Sequence, residues 1–118
     1  MRTILKSQEY EDFYGCLDQR TQEKIKYILQ MMTDIRVINT KFVKKLENTD
    51  FYEIRISSGV EYRILLYTLD KDSFIESNQV LLLNGFVKKS TKDYNRSITI
   101  ADSIIARLSE TNDSNNAK

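Results

Sequence analysis

Three strand-like runs follow one another between Phe51 and Lys92, and this stretch constrains the fold more than any other part of the chain. In the first run, apolar and polar residues alternate from Tyr52 to Ser57, which is the pattern of a strand with one buried and one solvent-facing side. Ser58-Gly59 is a turn signal, and the β-rich run from Glu61 to Thr68 follows it directly. The first two runs are therefore predicted to form a hairpin.

The third run, from Gln79 to Lys88, is apolar almost without interruption. Such a run is typical of a central strand that is buried on both faces. Gly85 lies inside it and indicates either a β-bulge or a close approach of another group to the backbone. A basic cluster made of Lys88, Lys89 and Lys92 follows the run.

Helical patterns flank these strands. Ser7 and Asp18 are suited to cap two consecutive helices, of which the second ends near Asp34. A last helix is predicted from Asp93 to Glu110. The apolar stripes that support the three helices are Tyr10, Phe13, Tyr14 and Leu17, then Ile25, Ile28, Leu29 and Met32, then Ile98, Ala101, Ile105 and Leu108.

Two segments give weaker signals. Residues 1–6 are predicted to form a short strand that docks on the sheet, although so short a run is equally compatible with a frayed end. Residues 35–50 are predicted to be a loop with one helical turn through Phe42, Val43 and Leu46. The fold class is therefore α+β, a small antiparallel sheet with an N-terminal helix hairpin and a C-terminal helix, the helices being gathered on one face.

The 118 residues are predicted to form a single domain over residues 1–110, with a polar, disordered tail over residues 111–118. Cys16 is the only cysteine, so the chain has no internal disulfide. The sequence shows neither a leader pattern nor an apolar run long enough to cross a bilayer. These features predict a reduced, cytoplasmic protein that does not bind membranes.

The chain contains no histidine, which removes the commonest general acid–base group and the commonest metal ligand. Together with the single cysteine, this absence excludes a structural zinc site and a nucleophile activated by histidine. Catalysis has to use Lys, Arg, Tyr, Asp or Glu, or Mg²⁺ or Mn²⁺ held by carboxylates. The net charge of +1 is not that of a typical nucleic-acid binder, but positive charge is locally clustered.

The order of the runs FYEIRI, EYRILL and VLLLNGFVKKSTK, after a helical pair and a KKLEN segment, resembles the RelE/ParE superfamily of type II toxin–antitoxin toxins. The nearest branch is the HigB-like group, which includes many phage-derived proteins. The resemblance covers about Tyr10 to Ala106. Its most specific parts are Glu53-x-Arg55, Tyr62-Arg63 and the GFVKK segment that begins at Gly85.

The resemblance implies a ribosome-dependent messenger RNA endonuclease, or mRNA interferase, that inhibits translation without a cofactor and is silenced by an antitoxin. That antitoxin is expected to be a helix-turn-helix protein encoded next door. The candidate catalytic residues are Arg55, Arg63, Lys88, Lys89 and Tyr94, and the candidate RNA-binding residues are Lys44, Lys45, Lys92 and Arg96. Many relatives carry histidine at the position of Asn84, so a reaction here proceeds without that group.

The chemistry of RNA cleavage suggests roles for these residues. Arg55 and Arg63 are suited to clamp a phosphate because a guanidinium donates two parallel hydrogen bonds. Lys88 and Lys89 face opposite ways on a strand, so only one reaches the site; Lys88 is favoured, and a bulge at Gly85 would reverse the choice. Tyr94 is a base if neighbouring cations favour its phenolate, or a platform on which a nucleotide base stacks.

Other interpretations remain open at the level of sequence. Arg55 also fits a surface ion pair with Glu53 on its own strand or with Glu61 across the hairpin. For the whole chain, the alternatives are a ParE-like inhibitor of DNA gyrase, a catalytically inactive protein that only binds its antitoxin, and an RNA-binding domain unrelated to toxins.

Overall fold

A computed structural model describes residues 1–116, with side chains described as far as Glu110. The strands are β1 (Thr3–Lys6), β2 (Val43–Lys45), β3 (Phe51–Ser58), β4 (Val60–Thr68) and β5 (Gln79–Val87), and the helices are α1 (Gln8–Gly15), α2 (Gln19–Asp34) and α3 (Thr91–Asn116). The predicted disordered tail falls on residues whose side chains, and at its end whose backbone, lie outside this description. Among the described helices, none is both long and apolar enough to cross a membrane.

The strands form one sheet in the order β1-β5-β4-β3-β2. The predicted hairpin and the third strand are confirmed as the consecutive antiparallel strands β3, β4 and β5. The N-terminal segment does dock on the sheet, and it pairs with β5 in parallel, so the sheet is mixed rather than wholly antiparallel.

The helical turn predicted through Phe42, Val43 and Leu46 is wrong, because Val43–Lys45 is strand β2. Val43 is buried and pairs with Ile54, while Lys44 and Lys45 pair with the next residues back along β3. Three residues are too few for their periodicity to distinguish a helix from a strand, and here the edge of β3 supplies the backbone hydrogen bonds.

Both predicted helix caps are confirmed. The hydroxyl of Ser7 accepts a hydrogen bond from the backbone N–H of Tyr10, and the carboxylate of Asp18 accepts one from Thr21, at 3.0 and 2.9 Å. Each cap satisfies a backbone donor that has no partner within its helix. The chain therefore enters α1 and α2 at the positions that the sequence indicates.

The helices are not gathered on one face, contrary to prediction. Helices α1 and α2 cover one face of the sheet, where Tyr10, Ile25 and Met32 pack against a buried group made of Ile54, Ile56, Ile64, Leu66, Val80 and Leu82. Helix α3 covers part of the other face, where Ala101 and Ile104 pack on Phe51, Leu65, Leu81 and Leu83. We call the second face, with α3, the α3 face.

Strand β5 contains a β-bulge near Gly85. Leu65 pairs with Asn84 while Leu66 pairs with Leu82, so Leu83 is an extra residue in the ladder. Gly85 itself lies against the ring of Phe13 from α1, and a Cβ at this position would be only 2.4 Å from that ring. The sequence predicts either a β-bulge or a close approach of another group at Gly85. The structure has both, since the bulge is at Leu83 and the Phe13 ring approaches the backbone at Gly85.

Candidate functional site

A group of charged side chains lies on the α3 face, next to the part of the sheet that α3 covers. Arg55 of β3 and Arg63 of β4 are directly opposed across the hairpin. The carboxylate of Glu53 lies between them, with its Oε1 3.5 Å from Nε of Arg55 and 3.9 Å from Nε of Arg63. The two predicted arginines thus come together, and a carboxylate holds both.

Arg63 is buried rather than open to a ligand. Its side chain is 2% exposed, and Nη1 donates to the backbone carbonyl of Tyr62 at 2.9 Å and to the carboxylate of Glu61 at 3.3 Å. Its Nε donates to the hydroxyl of Tyr94 at 3.1 Å. By contrast, the side chain of Arg55 is 34% exposed, so Arg55 is the guanidinium that a phosphate can reach.

Tyr94, in the first turns of α3, lies over this group as expected from its position in the sequence. Its ring packs edge-on against Phe86 of β5, with 5.2 Å between ring centres. Burial raises the pKa of the Tyr94 hydroxyl, and the nearby Glu53 carboxylate raises it further, which outweighs the opposite effect of Arg63. The prediction that neighbouring cations favour the phenolate is therefore wrong, and Tyr94 is held as a neutral phenol.

The structure distinguishes between the two candidate lysines that follow β5. Leu81 points to the α3 face, so strict alternation would bring odd-numbered residues, and finally Lys89, to that face. The extra residue Leu83 shifts this alternation by one position, and Phe86 pairs with Arg63 as a result. Lys88 consequently lies near Tyr94, with its Nζ 6.0 Å from the ring centre.

Lys89 has a different neighbour. Its backbone N–H donates to the carboxylate of Asp93 at 2.8 Å, as does that of Ser90 at 2.9 Å. These bonds form the turn into α3, and the Lys89 side chain is exposed. The sequence favours Lys88 and predicts that a bulge at Gly85 would reverse the choice. The structure has the bulge at Leu83, and it is Lys88 that lies beside Tyr94, so the predicted effect of a bulge is wrong.

Among the predicted RNA-binding residues, only Lys44 shares the α3 face. Lys44 pairs with Glu53 across β2 and β3, whereas Lys45 pairs with Tyr52, whose ring is 5.4 Å from the Lys45 ammonium. Side chains opposite each other on neighbouring strands point to the same face. Lys45 is therefore directed mainly towards the opposite face of the sheet.

Lys92 and Arg96 are exposed on α3. Each is two residues from Tyr94, which places it about 200° around the helix from that side chain. Arg96 lies near Asp93, whose pKa is lowered chiefly by hydrogen bonds from the backbone of Lys89 and Ser90, and to a smaller extent by Arg96. The structure does not bring either cation to the charged group under Tyr94.

Asn84, where many relatives of the resembled superfamily carry histidine, is buried under α3. Its side-chain nitrogen donates to the backbone carbonyl of Ser97 at 3.1 Å, while its side-chain oxygen is buried without a partner. Asn84 thus ties the first half of α3 to the sheet. It stabilises the position from which Tyr94 reaches Arg63.

Glu53 is the residue that sequence reasoning missed. It is 5% exposed, and its Oε2 is buried without a hydrogen-bond partner. Glu53 is also one of the residues that line a groove of about 250 Å³, together with Lys44, Lys45, Leu46, Glu47 and Tyr94. In the sequence, Glu53 beside Arg55 matches a surface ion pair, and no local signal distinguishes that pair from a buried one.

The arrangement has the groups that acid–base chemistry on a phosphodiester requires. It combines a carboxylate with an unpartnered oxygen, a neutral phenol, one accessible guanidinium and the ammonium groups of Lys44 and Lys88. Among the residues with described side chains, no three acidic or cysteine residues come together in a way that would hold a metal ion.

Comparisons with other proteins agree with the superfamily resemblance at the level of the fold. The sequence profile of the phage-derived Gp49-like proteins matches residues 12–105. No curated protein sequence matches the chain significantly.

Solved structures give strong matches. A chain of the intact E. coli RelBE toxin–antitoxin complex superposes with a TM-score of 0.59 at 18% identity, over 76% of this chain and 100% of that one. A substituted E. coli toxin RelE in the free state gives 0.60 at 16% identity, over 83% of this chain and 95% of that one. A chain of the RelB–RelE complex from Methanococcus jannaschii gives 0.55 at 20% identity, over 76% and 96% respectively.

Proposed function

Because the chain belongs to the phage-derived Gp49-like family and has the fold of the toxin RelE, we propose that it is the toxin of a toxin–antitoxin system and cleaves messenger RNA on the ribosome. The family and the fold support the toxin class. The charged group on the α3 face supports the cleavage chemistry.

The observation that carries the proposal is the buried Glu53 carboxylate, whose Oε2 has no hydrogen-bond partner and which belongs to the lining of a groove that also includes Lys44, Lys45 and Tyr94. Leaving a buried carboxylate oxygen without a donor is costly, so such an atom calls for an explanation. A ribose 2′-hydroxyl in the groove would donate to it. Glu53 is thereby proposed as the general base.

The reaction follows from this assignment. Glu53 takes the proton of the 2′-hydroxyl, the 2′-oxygen forms a bond to phosphorus, and the bond from phosphorus to the 5′-oxygen breaks. The products are a 2′,3′-cyclic phosphate and a 5′-hydroxyl, which receives a proton from an acid. Tyr94 is proposed as that acid, since its neutral phenol keeps a proton to give.

The cations have separate tasks in this mechanism. Arg55, Lys44 and Lys88 are proposed to contact phosphate oxygens, where charge develops in the transition state. Arg63 is proposed as a positioning residue, because it is buried and its Nε and Nη1 donors are already used by Tyr94, Glu61 and the Tyr62 carbonyl. It fixes the base and the acid relative to each other.

The proposal includes a partner and a place of action. A toxin of this class requires a neutralising antitoxin, and we expect a helix-turn-helix protein encoded beside it. Its substrate, messenger RNA on the ribosome, is found in the cytoplasm.

Controlled expression of the wild type, Glu53→Gln and Arg55→Ala tests the function. We expect growth arrest and new messenger RNA 5′ ends inside coding regions with the wild type, and neither with the two variants. Lys92→Ala is the matched control, since it removes an exposed cation on the far side of α3 and should remain toxic.

Two results would contradict the proposal. Arrest with intact messages and a DNA-damage response would indicate gyrase inhibition instead. Normal growth with abundant, folded wild-type protein would show that the chain has the fold without toxicity.

A further inference from the structure

Helix α2 exposes large apolar side chains on its solvent-facing side. Tyr27 and Ile35, at the end of the helix, are 68% and 50% exposed. They line a groove of about 210 Å³ together with Gln30, Met31 and Asp34. A contiguous exposed apolar patch on a small domain is characteristic of a surface that binds another protein.

The side of α2 that packs on the sheet is a different one. Ile25 and Met32 are buried in the core between α2 and the sheet. At 3.6 residues per turn, Tyr27 lies about 160° around the helix from Ile25 and about 140° from Met32. The exposed patch is therefore separate from the core. We call it, with the charged residues that flank it, the α2 outer face: Arg20, Tyr27, Met31, Asp34 and Ile35.

Two opposite charges flank Tyr27 at equal distances along α2. Arg20 lies seven residues before it and Asp34 lies seven residues after it. Because seven residues make about two turns, the three side chains lie nearly in line on the surface of the helix. The α2 outer face thus carries positive charge at one end, negative charge at the other and apolar surface between them.

Both charges lie at the end of α2 where the dipole of their own helix disfavours them. Arg20 is in the first turn and Asp34 is the last residue, whereas a helix favours acids at its start and bases at its end. Asp34 accepts a hydrogen bond from the Gln30 amide at 2.9 Å, and Arg20 lies near the carboxylate of Asp18. Exposed contacts of this kind contribute little to the stability of a single copy.

We propose that the α2 outer face binds a second copy of this chain, with the two α2 helices antiparallel about a twofold axis at Tyr27. Such an axis sets Arg20 of each copy opposite Asp34 of the other, because the two residues are equally distant from it. Each charge then lies beside the end of the partner helix whose dipole favours it. Tyr27 and Met31 of the two copies pack together at the centre.

The charge pattern selects this arrangement over other ways of pairing the same surface. A parallel pair of helices would set Arg20 beside Arg20 and Asp34 beside Asp34, and like charges facing each other disfavour association. Antiparallel helices with a crossing angle near ~20° keep side chains in contact over several turns. The face is therefore complementary to itself in one orientation.

The proposed dimer leaves the candidate functional site open. Helix α2 covers one face of the sheet, and the charged group around Glu53 lies on the α3 face, which is the other one. None of the residues of the α2 outer face belongs to the candidate site. The dimer therefore goes beyond the proposed function and does not depend on it.

Sedimentation equilibrium of the full chain, from low micromolar to several hundred micromolar protein, tests the association. We expect a monomer–dimer equilibrium in the wild type. Tyr27→Asp should raise the dissociation constant about tenfold or more, because it places two carboxylates at the centre of the interface. Ile100→Asp is the matched control, since Ile100 is a 42% exposed apolar residue on helix α3, and its dissociation constant should match the wild type. Circular dichroism should show that both variants are folded.

Exchange of the two charges tests the antiparallel orientation. Arg20→Glu and Asp34→Arg each set like charges opposite each other, and each should raise the dissociation constant about fivefold or more. The double variant restores both ion pairs across the interface and should recover most of the affinity. A role of these residues in the folding of a single copy would not produce that recovery.

A wild type that remains monomeric over the whole concentration range would overturn the proposal. A dimer that Tyr27→Asp does not weaken would also overturn it, because the contact would then lie elsewhere. Without recovery in the double variant, the antiparallel orientation fails. If the wild type dimerises as expected but is not toxic, the dimer stands and the proposed toxin function fails.

Discussion

Arg55 and Arg63, which are opposed across one hairpin, have different environments. Arg55 contacts one carboxylate and is partly open, while Arg63 is enclosed by Glu61, Glu53 and Tyr94. A charged group that is buried with its partners resists substitution, because removal of one member leaves the others without compensation. Substitution of the two residues by alanine should therefore have different effects on activity and on stability.

Arg55→Ala should abolish detectable RNA cleavage while shifting the thermal midpoint of unfolding by only a few degrees. Arg63→Ala should lose activity together with about 3–5 kcal/mol of unfolding free energy, the usual cost of breaking a buried pair. Urea denaturation alongside a cleavage assay measures both effects. Equal stability losses in the two variants would contradict the distinction between a contact residue and a positioning residue.

Glu53→Gln should reduce the rate of RNA cleavage by about 10²–10⁴-fold, the usual contribution of a general base. The amide keeps the size and shape of the side chain, so circular dichroism should show an intact fold. Single-turnover cleavage of a labelled RNA measures the rate. A variant that binds RNA as the wild type does but cleaves it at the full rate would exclude Glu53 as the base.

At the scale of elements, α3 shows why part of the architecture cannot be predicted from sequence. Its apolar stripe indicates that it packs on the sheet, but not on which face. Strand β5 is apolar on both faces, so either face accepts a helix. By contrast, the Ser7 and Asp18 caps and the Ser58-Gly59 turn depend on neighbouring residues only, and the sequence predicts them correctly.

The candidate site follows the same rule. The placement of Arg55 opposite Arg63 follows from the hairpin, which is local in sequence. The choice of Lys88 over Lys89 depends on a bulge whose position is determined by pairing between strands. The burial of Glu53 depends on α3, which begins 38 residues later, at Thr91. The sequence pattern therefore does not predict the placement or burial of a side chain whose surroundings come from elements distant in the sequence.

Gly85→Ala should destabilise the protein by about 1–3 kcal/mol, as overpacking of a core typically does. The new methyl group would meet the Phe13 ring at 2.4 Å, so α1 has to move away from the sheet. Phe13→Leu should recover part of the loss in the double variant, and chemical denaturation measures both. Gly15→Ala is the matched control, because a Cβ there meets nothing within 4 Å.

The loop between β4 and β5 contains a pH-sensitive element. Hydrogen bonds from the Ser77 hydroxyl and the Asn78 backbone lower the pKa of Asp70 from 3.8 to about 2. A carboxyl whose pKa is lower in the folded state stabilises the fold above its ordinary pKa, and this stabilisation is lost as the pH falls towards about 2. Asp70→Asn should therefore lower the thermal midpoint at pH 7, and the difference from the wild type should shrink as the pH falls to that value.

The exposed neighbour Asp72 provides the comparison for this experiment. Asp72→Asn should change the thermal midpoint little at either pH. A loss from Asp70→Asn that is the same at neutral and acidic pH would show that the carboxylate charge is not what organises the loop.

At the scale of the whole molecule, the proposed binding to RNA depends on where charge lies and not on its sum. The net charge is +1, yet Arg55, Lys44 and Lys88 lie together on the α3 face. Three phosphate contacts to a single strand correspond to a slope of about −2 for the logarithm of affinity against the logarithm of salt concentration. Lys44→Ala should reduce the slope by about 0.7, while Lys92→Ala should leave it unchanged.

Fluorescence titrations of a labelled single-stranded RNA at several salt concentrations give these slopes. A slope near zero for the wild type would mean that phosphates are not the main contact. Equal effects of Lys44→Ala and Lys92→Ala would mean that the α3 face is not the binding surface.

The extra residue Leu83 determines which later residues of β5 face α3. In evolutionary terms, a single in-frame codon deletion between the bulge and Lys88 would present the following lysine at the same face, whereas deletion of Leu83 itself would remove the bulge, leave the pairing of the other β5 residues unchanged and keep Lys88 there. Because two lysines are adjacent at this strand end, a lysine still faces α3 after such a deletion. A lineage can gain or lose one codon here and still present an ammonium group beside Tyr94.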